Sequence, residues 1–385
     1  MMSLSAYTDM LRQLVALPSV SSQDPRLDQS NLAVIEVLAN ALSALDFAVE
    51  IMPLPGENGK ANLIASRGQG SGGLILSGHS DTVPCDPLLW HSDPFQLVQK
   101  ENRLYGLGAA DMKGFFPLVV EAMRSFRDVH FSQPLIVVAT ANEETSMSGA
   151  RALLEQGRPK GRFAIIGEPT SLRPIRMHKG ITMETIRIQG QSGHSSNPAL
   201  GYNAIDAMHS VLTRILLWRN DLSTRMQNAL FVVPHTTVNL GCIHGGDNPN
   251  RICGSCELQI DIRPVPGMSL DELRAELRKL LAPITGQHGV TLHMESLFPG
   301  IPAFETPENS ELVRLAEKLT GHRADAVSFG TEAPFLQELG CETLILGPGS
   351  IDQAHQANEF IALDQVTQGV VQLRQFIQRL CVQPR

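Results

Sequence analysis

The chain has 385 residues, 43% of them hydrophobic, and is therefore long enough to bury the core of two domains or of one elaborated domain. Its formal net charge of -8 and the lack of any Lys/Arg-rich run argue against nucleic acid as a partner. No uncharged apolar stretch approaches the roughly 18 residues that a membrane span requires, which argues against a membrane protein.

The N-terminal segment is the first predicted element. Its apolar residues recur at helical spacing, at Leu4, Tyr7, Leu11 and Leu14, and charged residues interrupt any continuous apolar run. This pattern predicts a packed helix and not a signal peptide. Six cysteines in a chain without an export signal favour reduced thiols over a disulfide framework. We therefore expect a cytoplasmic protein.

Next come helices that alternate with runs that are apolar on both faces, a pattern that returns near the end of the chain. Helices are expected near 31–45 and 364–380. The apolar runs are GLILSGH (73–79), PLIVVATAN (134–142), RFAIIGE (162–168) and ETLILGPGS (342–350). Such runs are typical of buried strands in a largely parallel sheet covered by helices, so the sequence predicts an α/β/α domain.

The middle third has a different pattern, with alternating strands in the order β-α-β-β-α-β. This order is that of a ferredoxin-like split unit. We expect an inserted domain at 179–293 between two parts of the larger domain at 1–178 and 294–385. The predicted elements are a strand around Ile186 and Ile188, a helix at 202–219, strands at 237–243 and 257–263, a helix opened by a Ser269/Glu272 capping box, and a strand at 290–296.

Within this middle third, Cys253 and Cys256 form a CxxC pair, a spacing that zinc and redox sites use. No second CxxC and no HxxxH accompanies the pair, and it adjoins a strand in which Leu258, Ile260 and Ile262 alternate. We interpret both cysteines as structural.

Residues that can bind a metal or transfer a proton follow the four apolar runs, and Asp111 joins them from the glycine-rich segment YGLGAADMKG, at the start of a helix. Ligands bind at the carboxyl ends of the strands in open α/β sheets, so these residues should converge on one edge. Each alone has an ordinary explanation, such as a helix cap for Asp111, but together they indicate a site. The set is His79, Asp81, Asp111, Glu143, Glu144, Glu168 and His355.

The donor types in this set are histidine and carboxylate without cysteine, which suits Zn²⁺, or Co²⁺ or Mn²⁺ in exchange. Two divalent cations against the carboxylates of Asp111, Glu144 and Glu168 leave one net positive charge, with His79 and His355 neutral. That charge lowers the pKa of a bound water toward neutrality. We expect a two-metal site with Asp111 as the bridge.

Adjacent Glu143 and Glu144 point to opposite sides of an extended segment, so one should be a ligand and the other a base. Asp81 lies two positions after His79 and on the same face, where it can accept the second imidazole N–H and fix the tautomer. Its alternative role is that of a turn-forming residue before Thr82.

At these residues the sequence resembles the metallopeptidase family of acetylornithine deacetylase, succinyl-diaminopimelate desuccinylase, aminoacylase and glutamate carboxypeptidase. The resemblance spans nearly the whole chain. It implies a zinc-peptidase-like α/β/α catalytic domain with an inserted ferredoxin-like dimerisation domain. The matching motifs are SGHSDTVP (77–84), YGLGAADMKG (105–114), ATANEETSMSGA (139–150), IIGEPTS (165–171), GQSGHSS (190–196) and AHQANE (354–359).

The resemblance also implies a role for each residue. Glu143 would be the general base, Asp81 would orient His79, and His194 would stabilise the oxyanion across the interface of a homodimer. From the sequence alone, His194 is only a surface-loop histidine. The implied ligands of two zinc ions are His79, Asp111 as the bridge, Glu144, Glu168 and His355.

Four further residues match substrate-contacting positions of the family: Asn250, Arg263, Gly330 and Thr331. Arg263 could bind the substrate α-carboxylate through its guanidinium fork, or it could form a surface ion pair. Glu332 is our candidate partner for a side-chain ammonium of the substrate. One departure from many relatives is Cys253, where they have proline.

Within the family, four segments are most similar to members that hydrolyse N-acetylornithine: GHSS (193–196), 245–267, SFGTEAPF (328–335) and 347–359. This implies deacetylation to ornithine in arginine biosynthesis. Desuccinylation of succinyl-diaminopimelate and carboxypeptidase activity are the alternatives in the same family. A non-catalytic amino-acid-binding protein is the alternative of another class, but it would not need Glu143 and the metal ligands.

Overall fold

The computed structural model describes residues 3–70 and 72–382, and helices and strands alternate along this part of the chain. The strands are β1 (Ala48–Pro53), β2 (Ala61–Arg67), β3 (Leu74–His79), β4 (Val98–Lys100), β5 (Arg103–Tyr105), β6 (Leu135–Thr140), β7 (Phe163–Ile166), β8 (Ile175–His178), β9 (Thr182–Gln189), β10 (Thr237–Gly245), β11 (Ser255–Arg263), β12 (Thr291–Ser296), β13 (Phe304–Glu305), β14 (Asp325–Val327), β15 (Glu342–Ile345) and β16 (Phe360–Ala362).

The helices are α1 (Leu4–Val15), α2 (Leu32–Ser43), α3 (Phe115–Met123), α4 (Ser148–Glu155), α5 (Ala204–Arg225), α6 (Leu270–Leu281), α7 (Pro283–His288), α8 (Glu311–Thr320), α9 (Ala333–Glu338) and α10 (Leu363–Ile377). Short 3-10 turns and one π-helical turn, Gln378–Val382, complete the helical segments. In the described residues, no helix combines the length and the apolar character that crossing a bilayer requires.

Local sequence explains where several helices begin. The Ser3 side chain accepts a hydrogen bond from the Ala6 N–H at the start of α1. Tyr7, Leu11 and Leu14 of the predicted apolar face are buried, whereas Leu4, in the first turn, is exposed. At α6 the Ser269 and Glu272 side chains form the expected reciprocal capping box. These caps satisfy N–H groups that have no partner within the helix.

The chain divides into two units. The first contains the residues up to Arg176, Thr306–Asp325 and the chain from Thr331 on, and the second contains Met177–Glu305 and Ala326–Gly330. The sequence placed the ends of the insert at 179 and 293. Residue 293 lies inside strand β12, which pairs with β9 over its length, so the second unit extends beyond that position.

The main sheet of the first unit has the order β1-β2-β6-β3-β7-β15-β8. Its centre is parallel, because β3 pairs with β6 and β7, and β15 pairs with β7, in the same direction. The flanking pairs β1/β2, β2/β6 and β15/β8 are antiparallel, so the sheet is more mixed than the largely parallel one that we predicted. Every residue of β3, β6 and β7 is buried, which shows that both faces are covered.

The second unit confirms the predicted β-α-β-β-α-β order, with the short helix α7 added after α6. Its antiparallel sheet has the order β10-β11-β9-β12. Alternate residues of β11 are buried against α5 and α6, as the period of two predicts. Cys253 and Cys256 belong to this apolar core, which agrees with their interpretation as structural residues.

Candidate metal centre

The candidate ligands of the first unit lie where the parallel strands end. His79 is the last residue of β3 and is paired with Thr140, the last residue of β6. Ser77 of β3 is paired with Ile166, the last residue of β7. Glu143 and Glu144 therefore follow β6, and Glu168 follows β7, at the same edge of the sheet as His79. This is the convergence that the sequence predicts.

Two local features shape this edge. Asn142, just before the two glutamates, has a left-handed backbone with φ 59°, which asparagine tolerates better than most residues. Its side-chain amide donates hydrogen bonds to Glu57 and to the Ser148 hydroxyl. Gly167 packs so closely on the Phe115 ring that a Cβ atom would lie 2.2 Å from ring carbons. Both features hold the strand ends close to α3 and α4.

Two groups of side chains share His79. In one, His79, Asp111 and Glu144 offer ligand atoms that all lie within 4.8 Å of one another. In the other, His79, Glu143 and Glu168 meet the same limit. His79 Nε2 lies 3.1 Å from Asp111 Oδ1. Each group has the size and donor types of a divalent-cation site.

His355 joins the first group from the loop after β15. Its Nε2 lies 3.0 Å from Glu144 Oε2 and 3.7 Å from Asp111 Oδ2. The two Asp111 oxygens therefore face different imidazoles, with Oδ1 toward His79 and Oδ2 toward His355. This arrangement is compatible with the bridging role that the sequence predicts for Asp111. The His355 side chain is 56% exposed, so the site opens to solvent on this side.

The carboxylates of the site repel one another. Burial, followed by the negative charge of Glu168, raises the pKa of Glu143 well above its usual range. Burial and the charge of Asp111 do the same for Glu168 and raise the pKa of Glu144. Burial also acts on Asp111, but the hydrogen bond with His79 and the nearby imidazoles outweigh it, so its pKa is lowered.

The raised pKa values of the two imidazoles also reflect the negative potential of the site. Burial opposes protonation of His79, yet the hydrogen bond to Asp111 and the charges of Glu168 and Asp111 raise its pKa well above the usual value. The hydrogen bond to Glu144 raises the pKa of His355. A cluster that draws protons onto histidines in this way also attracts divalent cations. Its chemistry therefore fits the metal centre that we expected.

Comparison with known proteins agrees with this site. The model of the peptidase family M20/M25/M40 matches residues 75–379. The chain is 49% identical over 379 residues to the acetylornithine deacetylase of Proteus mirabilis and 49% identical over 378 residues to that of Edwardsiella ictaluri, with 98% of each chain covered in both cases. The chain belongs to the peptidase family M20/M25/M40.

Solved structures show the same fold. A tripeptidase of Staphylococcus aureus superposes with a TM-score of 0.77 at 18% identity, with 99% of each chain covered. A dinuclear metal-binding peptidase of Bacillus subtilis from the M20 family superposes with a TM-score of 0.68 at 14% identity, with 98% of each chain covered. The mixed α/β architecture that we describe is thus the M20 peptidase fold, and the chain is an M20 hydrolase of amide bonds.

Asp81 is placed differently from our expectation. Its main-chain carbonyl, and not its carboxylate, lies 2.9 Å from His79 Nδ1, whereas the carboxylate Oδ1 is 3.8 Å away. The carboxylate instead accepts the N–H groups of Glu143 at 3.3 Å and of Glu144 at 3.2 Å. Because β3 ends at His79, Asp81 lies beyond the strand and its side chain does not follow the strand alternation that the sequence suggested. Asp81 therefore holds the turn that carries both glutamates.

Glu332 lies at the same edge but is 2% exposed. Burial raises its pKa to about 7, and its carboxylate interacts with Thr140 and with the charges of His79 and Asp81. Its Oε1 has no hydrogen-bond partner among the described residues. A direct contact with a substrate ammonium would need this side chain to move. Thr331, next to it, is fully buried and accepts the Ala333 N–H through its hydroxyl.

The candidates in the second unit lie in loops and at a strand end. His194 is exposed, and its Nδ1 accepts hydrogen bonds from the N–H and the hydroxyl of Ser196. Asn250 is exposed, and its carbonyl accepts the Ser195 N–H, which links the loop of His194 to its own. Arg263 binds the Asp261 carboxylate through Nε and Nη2 at 2.8 and 2.9 Å, the ion pair that was our alternative. Gly330 is partly buried.

Two buried charged residues escaped the sequence analysis. Glu359 and Lys113 stand at or next to the end of motifs that we quoted, and both side chains are almost completely buried. The sequence offered one signal for both residues, because each is a charged residue at or next to the end of a motif. Their contacts are described below.

Proposed function

We propose that this M20 enzyme is a two-metal amidohydrolase that removes the acetyl group of N2-acetyl-L-ornithine and yields L-ornithine and acetate, a reaction of arginine biosynthesis. The cluster of His79, Asp111, Glu143, Glu144 and Glu168 carries the proposal that it hydrolyses an amide. The substrate rests on relatives with that activity in their names, at 49% identity over 98% of the chain.

The proposed ligands are those that the sequence indicated. His79 and His355 would each serve one metal ion, the two oxygens of Asp111 would serve both, and Glu144 and Glu168 would be divided between them. Two Zn²⁺ ions are proposed, with Co²⁺ as a substitute, because the donors are imidazole nitrogens and carboxylate oxygens. When bound, these ions polarise the amide carbonyl and lower the pKa of the attacking water.

Glu143 is the proposed acid–base residue. Burial and the charge of Glu168 raise its pKa in the metal-free site, which supports a role as proton acceptor. In the proposed reaction it takes a proton from the attacking water and donates it to the departing α-amine. The Asp81 carboxylate supports this role, because it holds the Glu143 N–H.

Binding and orientation fall to the other candidates. His194 would donate a hydrogen bond to the oxyanion of the tetrahedral intermediate across the interface of a homodimer. Asn250, Gly330, Thr331 and Arg263 would contact the substrate, and Arg263 would exchange Asp261 for the substrate carboxylate. The buried Glu332 would act on a substrate ammonium through its charge. We also keep the cytoplasmic location expected from the sequence.

The experiment is ornithine release by zinc-loaded protein from N-acetylornithine, with succinyl-diaminopimelate and a dipeptide in parallel. Turnover of acetylornithine that a chelator abolishes and added Zn²⁺ restores would support the proposal. Turnover of another substrate instead would keep the metal site and reject the substrate. Turnover that survives complete metal removal would reject the mechanism.

A further inference from the structure

Glu359 connects two of the candidate ligand loops. It stands four residues after His355 and directly before β16, and its side chain is 2% exposed. Its Oε2 accepts the Gly108 N–H at 2.9 Å, and its Oε1 accepts those of Ala110 at 2.7 Å and Asp111 at 3.0 Å. One carboxylate thus satisfies three N–H groups in the turn that leads to Asp111.

The main chain strengthens this connection. The Gly106 N–H donates to the Glu359 carbonyl at 3.1 Å, and β16 pairs with β5, the strand just before the glycine-rich turn. Gly108 is required in this turn, because its φ is +78° and a Cβ atom would lie 2.9 Å from the Thr82 methyl group. The turn is therefore tightly packed at Gly108, one of the three residues whose N–H groups Glu359 holds.

Lys113 is a second buried charged residue beside this turn. Its side chain is 1% exposed, and its Nζ donates to the carbonyls of Leu14 at 3.1 Å and Leu17 at 2.8 Å. The strongest attraction that its cation experiences is to the Glu359 carboxylate. A buried carboxylate with a nearby cation and three N–H donors keeps its acceptor oxygens in fixed directions.

We propose that Glu359 is a positioning residue that sets the place of Asp111 relative to His355 and thereby fixes the spacing of the metal centre. The inference rests on the proposed metal site but not on the proposed substrate. Asp111 depends on this support, because its own N–H donates to Glu359 and its two oxygens face different histidines. Groups that orient metal ligands in this way commonly change metal affinity or activity by about 10- to 100-fold when replaced.

The test compares Glu359→Gln with Glu121→Gln. Glu121 is a matched control, because its side chain is also buried and its carboxylate accepts the Ser3 N–H and pairs with Arg124, neither of which is a candidate ligand. Glutamine at 359 has one acceptor oxygen and an NH₂ group that faces N–H donors. Zn²⁺ affinity is measured by competition with a chromophoric chelator, and the visible absorption of the Co²⁺-loaded protein reports coordination geometry.

We expect Glu359→Gln to bind Zn²⁺ about 10- to 100-fold more weakly and to show an altered Co²⁺ spectrum. Glu121→Gln should lose thermal stability but keep the affinity and spectrum of the parent protein. Unchanged affinity and spectrum in Glu359→Gln, or equal losses in both variants, would overturn the proposal. These readouts need no substrate, so a failure on acetylornithine alone leaves the test intact, whereas a parent protein that binds no metal overturns both proposals.

If Glu359→Gln does not fold, Glu359→Asp takes its place. Aspartate keeps the charge beside Lys113, but its carboxylate is one methylene too short to reach the amides of 108, 110 and 111 together. We expect the same direction of change in Zn²⁺ affinity and in the Co²⁺ spectrum. Parent-like values in a folded Glu359→Asp protein would reject the positioning role.

Discussion

Replacing Glu332 by glutamine should stabilise the metal-free protein at pH 8 and change its stability little at pH 5. The carboxylate is buried and its Oε1 has no hydrogen-bond partner among the described residues. Burial raises its pKa from the ordinary value of 4.5 to about 7. This difference corresponds to roughly 3 kcal/mol by which folding disfavours the ionised carboxylate.

The sign follows from which state holds the proton more tightly. Because the folded-state pKa is higher, the stability that protonated Glu332 contributes is fully present below about pH 4.5 and is lost as the pH rises through about 7. Glutamine is neutral throughout this range and avoids the loss. Allowing about 1 kcal/mol for a poorer hydrogen bond to Thr140, we expect a net gain of about 2 kcal/mol at pH 8.

Urea unfolding in the presence of a chelator, at pH 5 and pH 8, measures this gain. The matched control is Glu184→Gln, because Glu184 is equally buried but accepts hydrogen bonds from Thr182, Ser296 and the Arg274 guanidinium. That variant should be destabilised, since it removes the carboxylate that pairs with the largely buried Arg274 guanidinium. If Glu332→Gln lowers stability equally at both pH values, ionisation of Glu332 does not destabilise the folded protein, and the reasoning is refuted.

Three further predictions concern the proposed site. Glu143→Gln should keep its metal and lose about 10²–10⁴-fold in kcat, whereas Glu144→Gln should lose metal affinity, and metal analysis beside kinetics separates the two outcomes. Asp81→Asn should reduce kcat but keep the metal affinity that His79 contributes, because a main-chain carbonyl holds the His79 ring. A loss of metal as severe as in His79→Ala would contradict this prediction. Because Glu143 and Glu168 have raised pKa values without metal, Zn²⁺ binding near neutral pH should release protons, which calorimetry in buffers of different ionisation enthalpy detects as a heat that varies with the buffer.

The sequence predicted the class of each domain and the edge where the site lies, because both depend on short-range patterns. Runs such as 74–79 and 135–140 are buried throughout, as apolar runs predict, and strand direction then brings His79, Glu144 and Glu168 together. Strand pairing at the margins was not predictable in this way. The antiparallel pairing of β1, β2 and β8 depends on contacts between distant segments, which periodicity does not report.

Individual hydrogen-bond partners were predicted less well than residue types. The spacing of His79 and Asp81 suggested a carboxylate–imidazole contact, but the Asp81 main chain reaches the ring first and its carboxylate is taken by two N–H groups of another loop. The sequence also did not indicate that Glu332, our candidate partner for a substrate ammonium, is almost completely buried. In both cases the outcome depends on how separate loops pack, and for His79 the nearer acceptor is the Asp81 carbonyl at 2.9 Å, against 3.8 Å for the carboxylate.

The distribution of charge links stability to metal binding. Four carboxylates and two imidazoles share one edge of the sheet, and the structure raises the pKa of three of these carboxylates and of both imidazoles. Such a cluster destabilises the metal-free fold at neutral pH, because folding brings like charges together away from water. Cations that bind only the folded state raise the free energy of unfolding by an amount that grows with the logarithm of their concentration relative to Kd. The same repulsion that weakens the metal-free first unit therefore provides the affinity for metal, and a substitution that relieves the repulsion, as in Glu332→Gln, should stabilise the metal-free protein more than the metal-loaded one.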